Sequence, residues 1–454
     1  MGFLEKVYDK SPIFFQNIMT SVAGYKKNRT RYGKTYYVYR EFLKEFDKYS
    51  LEEKKEYQRE KLVEFVKYAH ENSSFYRELY KDIDINSIND ISDLKKLPMV
   101  DKEMIRENIK EINTVSPSNS VKAHTGGTTG KSLEVYFLKE DMMKRMAMLD
   151  HFKSRVGFEH LEMRRATFNG QHIVPPSQKA KNFWRYNAAC KQMIYSSFNI
   201  TEENMKYYVE SLNKFKPHAI DGFFMSMVDI AGYIERHDIE LTFQPVAIFP
   251  TSETLTDTGR ELLERVFKCK VYDQYASAEG APFVTECYNQ QLHIELATGV
   301  FEHLNESSDE ILVTSFTTHG TPLIRYKIED SMKFITESTK CHCSNESYLV
   351  EKIEGRKLDF LYTSNGEKIR QPTAAIKKTS SSVIRTQFIQ NQVDEIIINL
   401  EVDKNLYKPE YDNFFIEEFT YKFGDQTKII INHVDEIPRE SSGKFRMIKN
   451  NVII

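Results

Sequence analysis

Two short stretches of this sequence hold residue types suited to chemistry on anions. His124-Thr-Gly-Gly-Thr-Thr-Gly-Lys-Ser132 sets three glycines and three threonines ahead of Lys131 and Ser132. Glycine lets backbone N–H groups approach an anion closely, hydroxyls add donors, and lysine adds a point charge, so the loop is suited to phosphate. It is not the G-x-x-x-x-G-K-[ST] nucleotide loop, because Thr125 stands where that pattern needs its first glycine. A plain hairpin turn is the other reading of such a stretch. Near the other end, Pro438-Arg-Glu-Ser-Ser-Gly-Lys-Phe-Arg446 places Lys444 after a proline turn. Such a loop is expected to be exposed and mobile, either a solvated basic tail or a means of bringing a cation to a developing negative charge.

The elements around these stretches are read from periodicity. Val121 on one side and Leu133–Phe137 on the other make the glycine loop a connection between two strands. Apolar residues at helical spacing predict a helix from 51 to 80, interrupted near Asn72, and a Met-rich helix from 141 to 152 that reads as core filler. From 201 onward, helical patterns (202–215, 257–267) alternate with short apolar runs (217–224, 246–249, 270–273). That alternation predicts a parallel or mixed sheet with helices on its faces, and ligands beyond the carboxyl ends of its strands. Two such ends carry polar residues, Pro250-Thr-Ser-Glu253 and Gln274–Glu279. After residue 355 the pattern becomes strands at 383–390, 395–400 and 428–432 with a helix at 409–421. The fold expected is α/β and α+β: a large domain of mixed sheets with packed helices over 1–355, and a small mobile α+β domain over 356–454.

A chain of 454 residues, 40% hydrophobic and 28% charged, has the make-up of a soluble globular protein of more than one domain. The net charge of −3 gives no reason to expect nucleic acid as a partner, and the basic run Lys26–Arg31 reads as a solvated helix end. No apolar run is long enough to span a bilayer, and the first residues lack a signal-peptide core, so a cytoplasmic location is the expectation. Five cysteines do not suggest a disulfide framework.

Taken together and in order, these segments resemble the acyl-adenylate-forming ligases, and within them the phenylacetate–CoA ligase branch with its relatives encoded among capsular polysaccharide genes. Lys61–His70 with Ser74-Phe-Tyr-Arg77 is similar to that branch's N-terminal helix. Thr125–Lys131 is similar to the family's phosphate loop, Asp273-Gln-Tyr-Ala-Ser-Ala-Glu279 to its D-x-Y-G-x-[ST]-E segment, and Arg325–Asp330 to R-Y-x-x-G-D. Gly355-Arg356 resembles its hinge and Pro438–Lys444 its terminal lysine motif.

The resemblance implies roles. Thr125, Gly126, Gly127, Thr128, Thr129, Gly130 and Lys131 would hold ATP phosphates. Tyr275 would stack on adenine, Asp330 would accept the ribose hydroxyls with Arg356 nearby, and Glu279 would help to hold Mg²⁺. Lys444 would bridge the carboxylate and the α-phosphate. The chemistry is coherent, since joining two anions requires their repulsion to be screened and a carboxylate suits a hard cation. Three positions depart from the family pattern: Ala276 and Glu329 replace glycines, and Leu358 replaces a hinge aspartate. The same branch has members with zinc in this region, which supports Cys287, His293, Cys341 and Cys343 as a four-ligand structural Zn²⁺ set. Unpaired buried cysteines, or His342 in place of a neighbour, are the other readings, while Cys190 and Cys269 read as packing.

The activity implied is activation of a carboxylic acid by ATP to acyl-AMP with release of pyrophosphate, then transfer to a thiol such as coenzyme A or to a carrier. Two alternatives stand beside it: an adenylyltransferase whose AMP adduct is the product, and a non-catalytic nucleotide-binding protein. The stretches 168–172, 222–224 and 250–252 are the expected walls of the acid pocket. The capsule-linked resemblance suggests an acyl group used in polysaccharide biosynthesis.

Overall fold

A computed structural model describes residues 3–124, 132–306, 308–335, 340–343, 345–356, 360–369, 374–379 and 382–452. The chain forms two compact units, one from residues 1–21, 161–271 and 355–454, the other from 22–160 and 272–354.

The first unit is built on a six-stranded sheet in the order Trp184–Asn187, Gln192–Ser196, Arg165–Asn169, Ala219–Phe223, Ala247–Thr251, Lys270–Val271. The first pair is antiparallel and the others are parallel. Helices Glu202–Phe215, Phe224–Arg236 and Asp257–Phe267 supply Leu212, Ile230 and Leu263 to a core shared with Ile220 and Ile248. This is the alternation of strands and helices that the sequence predicts, with the crossovers a parallel sheet requires. The strands 165–169, 184–187 and 192–196 are only four or five residues long, and although the first two alternate polar and apolar residues, runs this short do not stand out in the sequence. Strand Ala219–Phe223 is buried at all five positions, so it carries no period-two signal either.

The stretch after 355 has its own sheet, ordered Lys428–Val434, Glu395–Val402, Val383–Gln392, Ile448–Asn450, with helices Ala374–Thr379 and Asp412–Phe423. Its own core contains Phe388, Ile396, Ile398, Phe415 and Phe419. Two residues near its end, Ile437 and Phe445, belong to the core of the six-stranded sheet instead.

In the second unit, helix Leu51–Asn72 starts at a capping box in which Ser50 and Glu53 satisfy each other's backbone N–H groups. It breaks at Ser73, which caps the next helix, Ser74–Leu79. The strands Val121–His124 and Glu134–Phe137 pair antiparallel on either side of the glycine loop, as expected. A seven-stranded sheet runs Gly299–His303, Glu310–Ser315, Tyr326–Phe334, Leu349–Arg356, Leu292–Ile294, Val284–Glu286, Gln274–Tyr275. The stretch Gln274–Glu279 therefore leaves a two-residue strand paired antiparallel to Val284–Glu286, not an end of the parallel sheet. Among the described residues, no helix is long and apolar enough to cross a membrane.

Candidate functional site

In the first unit, the three stretches expected to line an acid pocket meet at one sheet edge. Phe168 pairs with Gly222, Gly222 with Pro250, and Phe223 with Thr251, so all three strands deliver their carboxyl ends side by side. Phe168 and Phe224 are core residues, each 1% exposed, which leaves Phe223 as the aromatic ring of this group nearest the edge. His172 lies stacked on Phe198 at 4.3 Å. Ser252, directly after the third strand, has φ 68°, a conformation a non-glycine residue holds only under constraint from its surroundings.

The Lys444 stretch is docked on this edge. Glu440–Gly443 forms a turn closed by the Gly443 N–H to the Glu440 carbonyl (2.8 Å), and Gly443 has φ 80°, a region that favours glycine. The turn lies so close to Gly170 that a Cβ there would stand 2.0 Å from the Ser442 carbonyl oxygen. Phe445 is buried, and its N–H donates to Glu253 Oε1 at 2.9 Å. The Lys444 ammonium sits 5.8 Å from the centre of the Phe223 ring, within cation–π range. The expectation of an exposed loop thus holds for Pro438, Ser441 and Ser442. Gly443 and Phe445 are buried because the stretch closes over the sheet edge.

In the second unit, Tyr275 and Asp330, 55 residues apart, are brought together: the tyrosine hydroxyl donates to Asp330 Oδ2 at 2.8 Å. Tyr275 is 8% exposed, with Phe301 edge-on at 6.1 Å. Asp330 projects from an irregularity in strand Tyr326–Phe334, where two steps from Glu310 to Leu312 face four from Ser331 to Lys327. Glu329 occupies this bulge with φ 67°, the left-handed conformation a glycine would take without strain. The departure from the family motif at Glu329 therefore falls where the backbone keeps a glycine-like shape. Ala276, the other departure in this unit, is exposed.

Glu279 is buried at 4% exposure, and a carboxylate in this position suits a hard cation such as Mg²⁺. The turn after it is held by Arg145, whose Nη1 donates to the carbonyls of Gly280 (2.9 Å) and Ala281 (3.0 Å) and to Thr317 Oγ1. Burial pulls the Arg145 guanidinium down to about 10, with Asp141 opposing. Sequence reasoning gave the helix bearing Arg145 no role. A buried arginine facing carbonyls has no sequence signature, although an arginine within a Met-rich apolar run was a usable hint. Thr125–Lys131 and Leu358 lie outside the described residues, as does the side chain of Arg356, whose backbone ends strand Leu349–Arg356.

The cysteine and histidine set comes together as expected. The ligand atoms of Cys287, His293, Cys341 and Cys343 all lie within 4.8 Å of one another. Cys287 follows strand Val284–Glu286 at the turn of a hairpin whose return strand carries His293, and Cys341 and Cys343 come from the loop before Leu349–Arg356. Cys287 Sγ is 3.7 Å from Cys341 Sγ, and Cys343 Sγ is 3.3 Å from His293 Nε2. A tetrahedron with zinc–sulfur bonds of about 2.3 Å has edges of about 3.8 Å, so the donors fit that ion. Burial pushes the His293 imidazole down to about 4, which keeps it in the neutral, metal-ligating form. His342 is exposed and outside the set.

Comparison with known proteins bears on the fold and the family. A 2-hydroxyisobutyryl-CoA ligase in its post-adenylation state, in complex with R3-HIB-AMP, superposes with a TM-score of 0.70 at 15% identity, over 89% of this chain and 91% of that one. The same ligase with 2-HIB-AMP and CoA in its thioesterification state gives 0.53 at 16% identity, over 88% and 90% of the two chains. The fold is that of the acyl-adenylate-forming ligases. More narrowly, residues 361–451 match the CapK C-terminal domain. Protein CapK of Staphylococcus aureus is 37% identical over 454 residues, spanning 99% of this chain and 100% of that one. The chain belongs to the CapK family.

Proposed function

We propose that this protein activates a carboxylic acid with ATP, releasing pyrophosphate and forming an acyl-AMP that it then passes to a thiol such as coenzyme A. The observation that carries the reading is the Lys444 turn docked on the carboxyl-terminal edge of the parallel sheet, in a fold shared with adenylate-forming ligases.

An acid bound at the edge formed by residues 169–172, 223 and 251–252 would present its carboxylate towards the Lys444 ammonium. A carboxylate oxygen attacks the α-phosphorus, the bond from that phosphorus to the bridging oxygen breaks, and pyrophosphate leaves. Lys444 offsets the charge of the two anions as they meet and holds them in line. Tyr275 and Asp330 are assigned to the nucleoside, with the Asp330 carboxylate suited to accepting from two ribose hydroxyls. Thr125–Lys131 are assigned to the phosphates and Arg356 to the ribose side. Mg²⁺, which screens phosphate charge when bound, is assigned to Glu279, a buried residue whose carboxylate suits a hard cation. In the second step the thiol sulfur attacks the acyl carbon, the carbon–oxygen bond to AMP breaks, and the thiol proton leaves.

The small domain, from 356 onward, is proposed to move between these steps about the segment 356–359. The Cys287, His293, Cys341 and Cys343 set is proposed to hold a structural Zn²⁺: four protein ligands leave no open position for chemistry. A role in polysaccharide biosynthesis rests on the sequence resemblance to capsule-linked relatives.

A pyrophosphate-release screen across carboxylic acids, with and without coenzyme A, tests the reading. The expected result is release that depends on one class of acid and, with the thiol present, yields a thioester. A stable AMP adduct without the thiol would favour an adenylyltransferase, and no acid-dependent release would remove the assignment.

A further inference from the structure

The segment that carries Lys444 is tied to the six-stranded sheet by two carboxylates that the reaction does not consume. Asp229 lies on helix Phe224–Arg236 with a side chain 1% exposed. Its Oδ2 accepts from Arg385 Nε at 3.0 Å, from Arg385 Nη2 at 2.8 Å, and from the Arg439 guanidinium. Arg385 also donates to the Ile200 carbonyl at 2.8 Å and pairs with Glu401 at 3.4 Å, while Glu401 accepts from the Ile437 N–H at 2.9 Å. Within this cluster, Arg385, Arg439 and Glu401 come from beyond residue 355, and Asp229 is the charged member contributed by the sheet's own helices. The second carboxylate, Glu253, bridges the Met225 N–H at 2.8 Å and the Phe445 N–H at 2.9 Å. It therefore ties the start of the same helix to the residue after Lys444.

Two features mark this as more than packing. Two guanidinium groups converge on one oxygen of Asp229, while its Oδ1 and the Arg439 Nε are buried with no hydrogen-bond partner among the described residues. A buried charge cluster left partly unsatisfied is costly, so it is a poor device for stability alone and a better one for selecting a pose. Arg385 retains Glu401 if the segment lifts away, whereas Asp229 keeps no cation of its own. The attachment is therefore strong when formed and reversible at one residue.

We propose that Asp229 and Glu253 are positioning residues that latch the Lys444 turn on the sheet edge for the first half-reaction, and that their release frees the segment for the second. This rests on the two-step reading above.

The test uses the full-length chain without ligands, by hydrogen–deuterium exchange on wild type, Asp229→Asn and Glu253→Gln. The expected result is exchange in segment 437–447 faster by about tenfold or more, from the loss of charge-assisted hydrogen bonds, with strands Glu395–Val402 and Ala219–Phe223 still protected. Should Asp229→Asn fail to fold, Glu253→Gln carries the test alone. Unchanged exchange in 437–447, or a rise spread evenly over those strands, would overturn the latch. Once an acid is identified, acid-dependent pyrophosphate–ATP exchange in the variants should fall in kcat with KM for ATP within about threefold of wild type, as expected of lost positioning rather than lost nucleotide binding. Acyl transfer from preformed acyl-AMP should be undiminished. Wild type without any exchange activity would refute the two-step reading, while the hydrogen-exchange result would still judge the attachment.

Discussion

Replacing Gly170 with alanine should displace the Lys444 turn while leaving the sheet beneath it intact. The new Cβ would stand 2.0 Å from the Ser442 carbonyl oxygen, and real Cβ atoms essentially never approach closer than 3.0 Å, so the turn must withdraw by about 1 Å. Phe223 Cε2, 3.3 Å from the same Cβ, limits relief in that direction. A misplacement of about 1 Å at a reacting group costs on the order of 10²-fold in rate, or about 2.7 kcal/mol of barrier. Gly170 itself does not have the positive φ that would make alanine strained. Alanine also removes freedom from the unfolded chain, worth about 0.4–1 kcal/mol in favour of the fold. Urea unfolding should therefore stay within about 1 kcal/mol of wild type while acid-dependent pyrophosphate–ATP exchange falls by about 10²-fold at saturating ATP. A folded Gly170→Ala protein with wild-type exchange would refute the reasoning, because the docked turn would then be irrelevant to the chemistry.

Two further outcomes are expected. Metal analysis of the purified protein should find about one zinc per chain, with Cys341→Ser reduced in zinc and lower in thermal midpoint; wild type without zinc and with Cys341 freely alkylated would contradict the site. Glu329→Gly should relieve a left-handed non-glycine residue worth about 1–2 kcal/mol against the added unfolded-chain entropy of glycine, about 0.5–1 kcal/mol. The net effect on urea unfolding should be a small gain, and a clear loss of stability would show that the Glu329 side chain is holding the bulge.

The candidate site residues stand out in the sequence more clearly than the sheets that carry them. Tyr275, Glu279, Asp330 and Lys444 could be picked out because their chemistry sits in short motifs whose order along the chain is informative. Pairing of Cys287 and His293 with Cys341 and Cys343 was legible for a related reason, since thiols in a chain without a disulfide pattern invite a metal reading. The strands were harder. Gln274–Tyr275 is two residues, too short for any period, whereas Lys270–Val271 falls within the apolar run 270–273 that reads as a strand. The docking of the Lys444 turn was missed because its partners, Gly170, Phe223 and Glu253, lie roughly 190 to 270 residues away and reveal themselves through close approach alone. Arg145 and Asp229 were missed for the same physical reason: a charge buried in an apolar helix looks, in sequence, like one on a solvated face.

The most direct test of the account is acid-dependent pyrophosphate–ATP exchange by Lys444→Ala beside wild type, with ATP binding measured on both. The account predicts exchange lowered by at least about 10²-fold and nucleotide affinity largely retained. Equal exchange in the two proteins would contradict it.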